Sequence, residues 1–130
     1  MTYTEKLIKT KDLYPFEKWR GYFYPNEEED LDGMEQYTEE NCATAQKIFE
    51  ELIDKLIQIG EVGNKKDKEK AFETAIISLN NLNEETGDCL IETGEREDLC
   101  ELIDEICNAT GLNTDDYAEG DGIADLWREW

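Results

Sequence analysis

The sequence predicts an all-α protein: a small bundle of three to five helices with an irregular aromatic N-terminal segment and a short extended connector near residues 88–92. Apolar residues recur at three- and four-residue steps along three stretches, which is the spacing of one helix face. The remaining apolar segment, Asp88-Cys89-Leu90-Ile91-Glu92, is too short to demand a sheet. A length of 130 residues suits one domain, so residues 1–130 are expected to form a single helical unit.

The N-terminal part of the chain is crowded with aromatic residues. Residues 13–25 hold six aromatic side chains, two prolines and a glycine. This composition predicts a short helix around Pro15 to Arg20, followed by irregular chain. We expect these rings, with Trp127 and Trp130 near the other end, to pack onto the bundle, and a partner-binding surface is the alternative.

The first long helix is predicted over residues 38–59. Thr38 can cap its start, Glu39 and Glu40 suit the positive end of its dipole, and Gly60 can end it. Its apolar face consists of Cys42, Ala45, Ile48, Phe49, Leu52, Ile53, Leu56 and Ile57.

A second helix is predicted after a polar link, with Asp67 as its cap and Gly87 as the break that follows it. The segment Asn80-Asn81-Leu82-Asn83 is expected to fray its end. The dense group of lysines at its start is expected to be solvated, with an anion site as the alternative. The apolar stripe is Ala71, Phe72, Ala75, Ile76, Leu79 and Leu82, and the lysines are Lys65, Lys66, Lys68 and Lys70.

The third helix is predicted from about Gly94 to Thr110. Thr93 is placed to cap it, and Gly111 followed by Leu112 has the form of a glycine C-terminal stop. Its stripe is Leu99, Leu102, Ile103 and Ile106, with Cys100 and Cys107 on the border. An acidic loop over 115–121 follows, and Ile123, Leu126, Trp127 and Trp130 are expected to close the chain with a helical turn.

The charge balance restricts the classes of partner. Thirty-four acidic residues against 13 basic ones give a net charge of −21, which repels phosphate backbones and anionic membranes. We therefore expect no direct nucleic-acid binding and no membrane binding. The N-terminus alternates charge with isolated apolar residues and forms no signal core, so the protein is expected to be cytoplasmic.

The inventory of reactive side chains argues against an enzyme. Histidine is absent, so nucleophilic catalysis lacks its usual base, and Ser78, the only serine, has a helix-interior setting. The four cysteines have no CxxC spacing and are expected to be buried reduced thiols. No glycine-rich phosphate loop is present either. We therefore expect no catalytic residues, no cofactor and no metal.

One segment approaches a calcium-binding loop. In Glu28–Glu39 the third, fifth, sixth and twelfth places are Asp30, Asp32, Gly33 and Glu39, as a twelve-residue calcium loop needs. The first and eighth places depart from the pattern, and the aromatic run before it leaves little room for an entering helix. A solvated acidic loop is the preferred interpretation.

Two concentrated acidic runs are the candidate partner-binding residues. If the fold brings them together, they form a negative surface that attracts a basic protein by electrostatic steering. Dispersed charge for solubility is the alternative. The candidates are Glu27, Glu28, Glu29, Asp30 and Asp32 in the first run, and Asp115, Asp116, Glu119 and Asp121 in the second.

Arg96 lies among four carboxylates where the third helix begins. We expect it to neutralise Glu92 and to join the connector to this helix, and a ligand-holding arginine is the alternative. The segment Ile91-Glu92-Thr93 followed by Arg96-Glu97, with the ending Trp127-Arg128-Glu129-Trp130, resembles a family of small acidic bacterial proteins of unknown function. The resemblance covers about the C-terminal half. It implies a mostly helical, single-domain, cytosolic bacterial protein and supplies no catalytic residue.

These observations predict a non-enzymatic interaction protein. Its most concrete form is a neutraliser of a basic protein, either an immunity-type partner of a bacterial toxin or a nucleic-acid mimic, with Tyr or Trp anchors. One alternative is an enzyme or small-ligand binder that uses carboxylates and Arg96, with or without a divalent metal. A structural protein is the other alternative, and the oligomeric state has no sequence signal.

Overall fold

The computed structural model describes residues 1–23 and 36–130 and confirms the all-α class. No strand occurs in these two ranges. The α-helices are α1 Tyr3–Lys9, α2 Phe16–Tyr22, α3 Glu39–Ile59, α4 Lys65–Glu85 and α5 Thr93–Ala109. Short 3-10 turns are formed by Thr10–Leu13, Thr114–Asp116, Ala118–Gly120 and Ile123–Leu126.

The predicted limits of α3 are confirmed. The Thr38 hydroxyl accepts a hydrogen bond from the Asn41 amide at 3.0 Å, so this side chain caps the first turn. Gly60 is the C-cap and donates to the Leu56 carbonyl. A short link follows, and α4 packs back along α3 as the second arm of a helical hairpin.

Helix α4 begins earlier and ends later than the sequence predicts. Its cap is Asn64, whose side-chain oxygen accepts from the Lys66 amide at 2.7 Å, so Asp67 is not the cap. The helix continues through the segment expected to fray, because Asn80 and Asn83 are buried and bonded there.

The two buried asparagines fasten other parts of the chain to α4. Asn80 donates to the Trp127 carbonyl at 2.9 Å and accepts from the Glu129 amide at 3.0 Å. Asn83 accepts from the Ile91 amide at 2.9 Å. Buried amide side chains are stable when they are hydrogen-bonded in this way, so these residues hold the C-terminal segment and the connector in place.

Helix α5 begins one residue before the predicted start. Glu92 is its N-cap and makes no side-chain capping bond, so the predicted cap at Thr93 is wrong. The predicted stop is confirmed: Gly111 has φ = 91°, and the Leu112 amide donates to the Cys107 carbonyl at 3.2 Å. This 6→1 bond across a left-handed residue is the Schellman ending that glycine favours.

The N-terminal aromatic residues belong to the core. Trp19 and Phe16 of α2 are fully buried and meet edge to face, with ring centroids 5.3 Å apart. Phe16 also packs on Phe49 of α3 at 5.7 Å, and Trp19 lies 5.9 Å from Tyr37. The expected packing of aromatic residues onto the bundle is therefore confirmed for these rings, and half-buried Tyr14, Tyr22, Trp127 and Trp130 pack against the same core.

Lys68 departs from the prediction of a solvated lysine group. It is only 4% exposed, whereas Lys65, Lys66 and Lys70 are exposed. Its Nζ donates to the Glu61 carbonyl at 2.9 Å and to the Thr110 carbonyl at 2.7 Å. Those carbonyls follow the ends of α3 and α5, where helix dipoles concentrate negative potential. Lys68 therefore joins two helix C-termini to the start of α4.

The cysteines are free thiols, as predicted, but they are not all buried. Cys42 and Cys107 are buried, Cys100 is half-buried and Cys89 is exposed on the connector. Burial raises the pKa of the Cys107 thiol to about 12, so this thiol stays protonated at neutral pH. No helix in residues 1–23 and 36–130 combines the length and apolar content of a membrane span.

Candidate functional site

A stripe of carboxylates runs along the solvent face of α5. Glu97, Glu101 and Glu105 are all exposed and follow one another at four-residue steps. This spacing places them above one another on one side of the helix. The opposite side of α5 carries its buried apolar residues, so the stripe points away from the core.

Asp104 joins this stripe to the C-terminal turns. It accepts a hydrogen bond from the Thr114 hydroxyl at 2.6 Å, and the Thr114 amide donates to Asn108 at 3.3 Å. The backbone of Gly122 also reaches Asp104, because a Cβ added there would lie 2.8 Å from the Asp104 Oδ1. The φ of Gly122, 105°, also favours glycine at this position. The turns over residues 114–122 therefore lie beside the end of α5.

The two groups together form the acidic surface. Thr114 is held against α5, and the charge of Asp115, the next residue, acts on the Asp104 carboxyl, so the carboxylates of the turns begin beside those of the helix. The acidic surface consists of Glu97, Glu101 and Glu105 of α5 with Asp115, Asp116, Glu119 and Asp121 of the turns. Among the described residues, no ion pair involves any of these seven carboxylates.

Several basic residues border the acidic surface. Lys6 and Lys9 of α1 share a shallow groove with Glu105. Asp98, seven residues before Glu105 on the same side of α5, pairs with Lys18 at 2.8 Å, and this pair raises the pKa of Lys18. Beside the turns, the hydrogen bond to Asp125 raises the pKa of Arg128, and the charge of Asp121 adds to the rise. The centre of the acidic surface therefore keeps its excess negative charge.

The α5 stripe reduces the stability of the helix that carries it. Like charges four residues apart repel, at about 0.2–0.5 kcal/mol per pair on an exposed helix face. Dispersed acids would give the same solubility without this repulsion. The arrangement is therefore poorly explained by stability or solubility alone.

The pKa of Asp104 reflects its burial between α5 and the C-terminal turns and the charges of nearby carboxylates. Burial raises it above the ordinary carboxyl value, the Thr114 hydrogen bond opposes the rise, and the charges of Asp115 and Asp125 add to it. The folded protein therefore holds this proton more tightly than the unfolded chain. As pH rises from the unfolded pKa through the folded one, the contribution of Asp104 to stability falls.

Asp104→Asn is expected to raise the thermal midpoint at neutral pH, because asparagine keeps an acceptor for Thr114 and carries no charge. Thermal unfolding measured at about pH 7 and about pH 3 should show a difference from the parent that disappears at the lower pH. Asp54→Asn, at an exposed site in the middle of α3, is the control and should shift the midpoint little. A lower midpoint for Asp104→Asn at pH 7 would contradict this account.

The structure locates the second predicted acidic run and not the first. Asp115, Asp116, Glu119 and Asp121 are exposed, as a partner-binding role requires. Glu27, Glu28, Glu29, Asp30 and Asp32 lie outside the described residues, and so does most of the calcium-like segment 28–39. Sequence reasoning overlooked the stripe on α5, although its four-residue spacing is visible in the letters.

Arg96 does not form the predicted clamp. No ion pair joins it to Glu92 within the described part of the chain. It is half-buried, while Glu92, Thr93 and Glu97 are exposed and Ile91 is buried. Arg96 also lines neither the groove between α3 and α4, nor the one beside Lys6 and Glu105, nor the one beside Asn80 and Trp130. The ligand-binding alternative therefore gains no support from its position.

The described residues contain no group of three or more potential ligands that could hold a metal ion. Ser78 lies in the interior of α4, and its hydroxyl donates to the Thr74 carbonyl at 2.9 Å. This hydroxyl therefore donates its hydrogen bond within its own helix.

The fold and the acidic surface define a class: a small all-α protein with an exposed carboxylate surface. Comparison with protein-family models, curated proteins and solved structures found no match. The resemblance of residues 91–97 and of the Arg128-Glu129-Trp130 ending to a bacterial family therefore stays a prediction.

Proposed function

We propose that the protein is a non-enzymatic interaction protein that binds a basic protein partner through the acidic surface. The observation that carries this proposal is the row of Glu97, Glu101 and Glu105, which are exposed, unpaired and mutually repulsive. A cationic partner would relieve that repulsion when it binds. The bound carboxylates would then gain charge-assisted hydrogen bonds from its lysine or arginine side chains.

The finer form of the proposal is a neutraliser, either an immunity-type partner of a toxin or a nucleic-acid mimic. The net charge of −21 supports it, because a field of that sign accelerates the approach of a basic protein and repels nucleic acid. Salt should weaken such binding strongly, since exposed charges are screened beyond about 8 Å at physiological ionic strength.

The test compares two variants that have the same net charge. One replaces Glu97, Glu101 and Glu105 with glutamine. The matched control replaces three exposed acids elsewhere, Glu40→Gln, Asp54→Asn and Glu85→Gln. Each chain is immobilised, lysate is passed over it at about 0.05 M and about 0.5 M salt, and retained proteins are identified by mass spectrometry.

We expect the parent and the control to retain a discrete basic protein at low salt, and the α5 variant to lose it. High salt should release it from both. If the α5 variant retains the same protein as well as the control does, the acidic surface is not the binding site.

A further inference from the structure

A long open groove separates the outer faces of α3 and α4, on elements other than those that carry the acidic surface. It has a volume of about 530 Å³, and its floor is apolar. The α3 wall repeats at helical spacing through Ile48, Leu52 and Ile59, and the α4 wall contributes the small residues Ala71 and Ala75. Side chains this small leave room for another helix to approach closely.

Exposed apolar residues are close in sequence to the residues that line both ends of this groove. Val62, in the link between α3 and α4, is 99% exposed and lies three residues after Ile59, which lines one end. Ile77 of α4 is 42% exposed and directly precedes Ser78, which lines the other end. Apolar side chains exposed around an apolar depression are typical of protein interaction sites.

The rims of the groove are balanced in charge, unlike the molecule as a whole. The charged residues that line it are Glu51 and Lys55 on α3 and Asp67 and Lys70 on α4, two of each sign. The complete chain has a net charge of −21. A basic partner therefore finds no acidic excess in the groove, whereas an acidic chain can approach it without a concentrated repulsion.

We propose that a second copy of this chain occupies the groove, so that the protein forms a twofold symmetric dimer through α3 and α4. Glu51 and Lys55 lie one turn apart on α3, about 6 Å along its axis. A twofold axis between them makes the two α3 helices antiparallel and places each Lys55 beside Glu51 of the second copy. Such an interface is self-complementary, as twofold symmetry requires.

Neither Glu51 nor Lys55 is held in a close ion pair within the described part of the single chain. Lys55 is exposed and forms no ion pair with any described residue. The Glu51 side chain is 70% exposed and has only a distant contact to Lys47, at 3.9 Å. The same rotation brings the end of the groove lined by Ile59 towards the end lined by Ile48 of the second copy. Apolar and ionic contacts are thus satisfied by one arrangement.

Sedimentation equilibrium of the complete chain over a range of concentrations tests the proposal. The expected species at high concentration has twice the monomer mass of 15.1 kDa. Glu51→Lys and Lys55→Glu should each weaken dimerisation at least about tenfold, because each single change places like charges across the interface. The double variant Glu51→Lys with Lys55→Glu reverses both charges and should restore the dimer.

Glu51→Lys separates this interface from general repulsion. It makes the net charge less negative, so a dimer limited only by overall charge would become stronger, whereas the proposed pairing becomes weaker. A monomeric parent chain, a dimer that neither single variant weakens, or a double variant that stays weak would each overturn the proposal. Far-UV circular dichroism checks that these exposed substitutions leave the helices intact.

Discussion

Replacing Trp19 with alanine is expected to lower the free energy of unfolding by about 3–5 kcal/mol, the usual cost of removing a buried indole. Trp19 is 0% exposed and is enclosed by Phe16 and Tyr37. Its Nε1 also reaches an Asp98 carboxylate oxygen of α5 at 3.4 Å. The substitution therefore leaves a cavity where α2 meets the rest of the core, in addition to losing apolar burial.

Urea unfolding followed by far-UV circular dichroism measures this loss. Trp127→Ala is the matched control, because its indole is half-buried and the expected loss is smaller. If the Trp19→Ala chain does not fold, Trp19→Phe fills part of the cavity and should give an intermediate loss. A Trp19→Ala loss no larger than that of Trp127→Ala would mean that α2 contributes little to the core.

Replacing Lys68 with methionine is expected to lower the free energy of unfolding by about 2 kcal/mol, since a buried acceptor left without its partner costs about 1–3 kcal/mol. Methionine keeps the apolar stem and removes the ammonium group that bonds the Glu61 and Thr110 carbonyls. Thr110 is fully buried, so water does not readily replace the lost donor. The ring of Tyr3, 5.3 Å from the ammonium, loses a cation contact as well.

The control is Lys66→Met, which removes the same charge at an exposed position two residues away. Its free energy of unfolding should stay within about 0.5 kcal/mol of the parent. Urea unfolding of the two variants in parallel cancels any effect of net charge. Equal losses for both variants, or a more stable Lys68→Met chain, would show that desolvation of the buried ammonium offsets its hydrogen bonds.

The acidic surface and the α3–α4 groove use different elements, so the two proposals fail or succeed separately. The Glu97, Glu101 and Glu105 substitutions leave the groove unchanged, and the Glu51 and Lys55 substitutions leave the acidic surface unchanged. A dimer built through α3 and α4 would carry two copies of the acidic surface, which increases the avidity for a partner that presents two basic sites.

Most of the helical architecture could be predicted because its signals are local. Periodic apolar residues gave α3 and α5 nearly to the residue, and Thr38, Gly60 and Gly111 act at their ends through bonds to neighbouring residues. The short helix α1, Tyr3–Lys9, was not predicted. Its seven residues bury only Leu7, and this is too little for a visible periodicity.

The errors concern polar side chains whose partners are distant in sequence. Asparagine favours turns when only its sequence neighbours are considered. Asn80 and Asn83 nevertheless lie within α4, because both form hydrogen bonds to segments that only the folded chain brings close. Their positions continue the apolar stripe of α4, which was the available signal. Lys68 resembles its exposed neighbours in the sequence and is buried only because α3 and α5 both end beside it.

The candidate site, like the fold, could be predicted in part from local sequence and depends in part on tertiary contacts. The excess of acidic residues, the run from Asp115 to Asp121 and the spacing of Glu97, Glu101 and Glu105 are all present in the sequence. The turns lie beside α5 because Asp104 accepts a hydrogen bond from Thr114 and lies against Gly122. Contacts of this kind cannot be deduced from spacing.

The sequence by itself determined the helical class, the three long helices and the large negative charge, because these follow from local periodicity, capping and composition. Only the tertiary structure decided which polar groups are buried, where the carboxylates meet and where a groove stays open. Those outcomes depend on the packing of helices against each other, since burial and long-range hydrogen bonds arise between residues that are far apart along the chain.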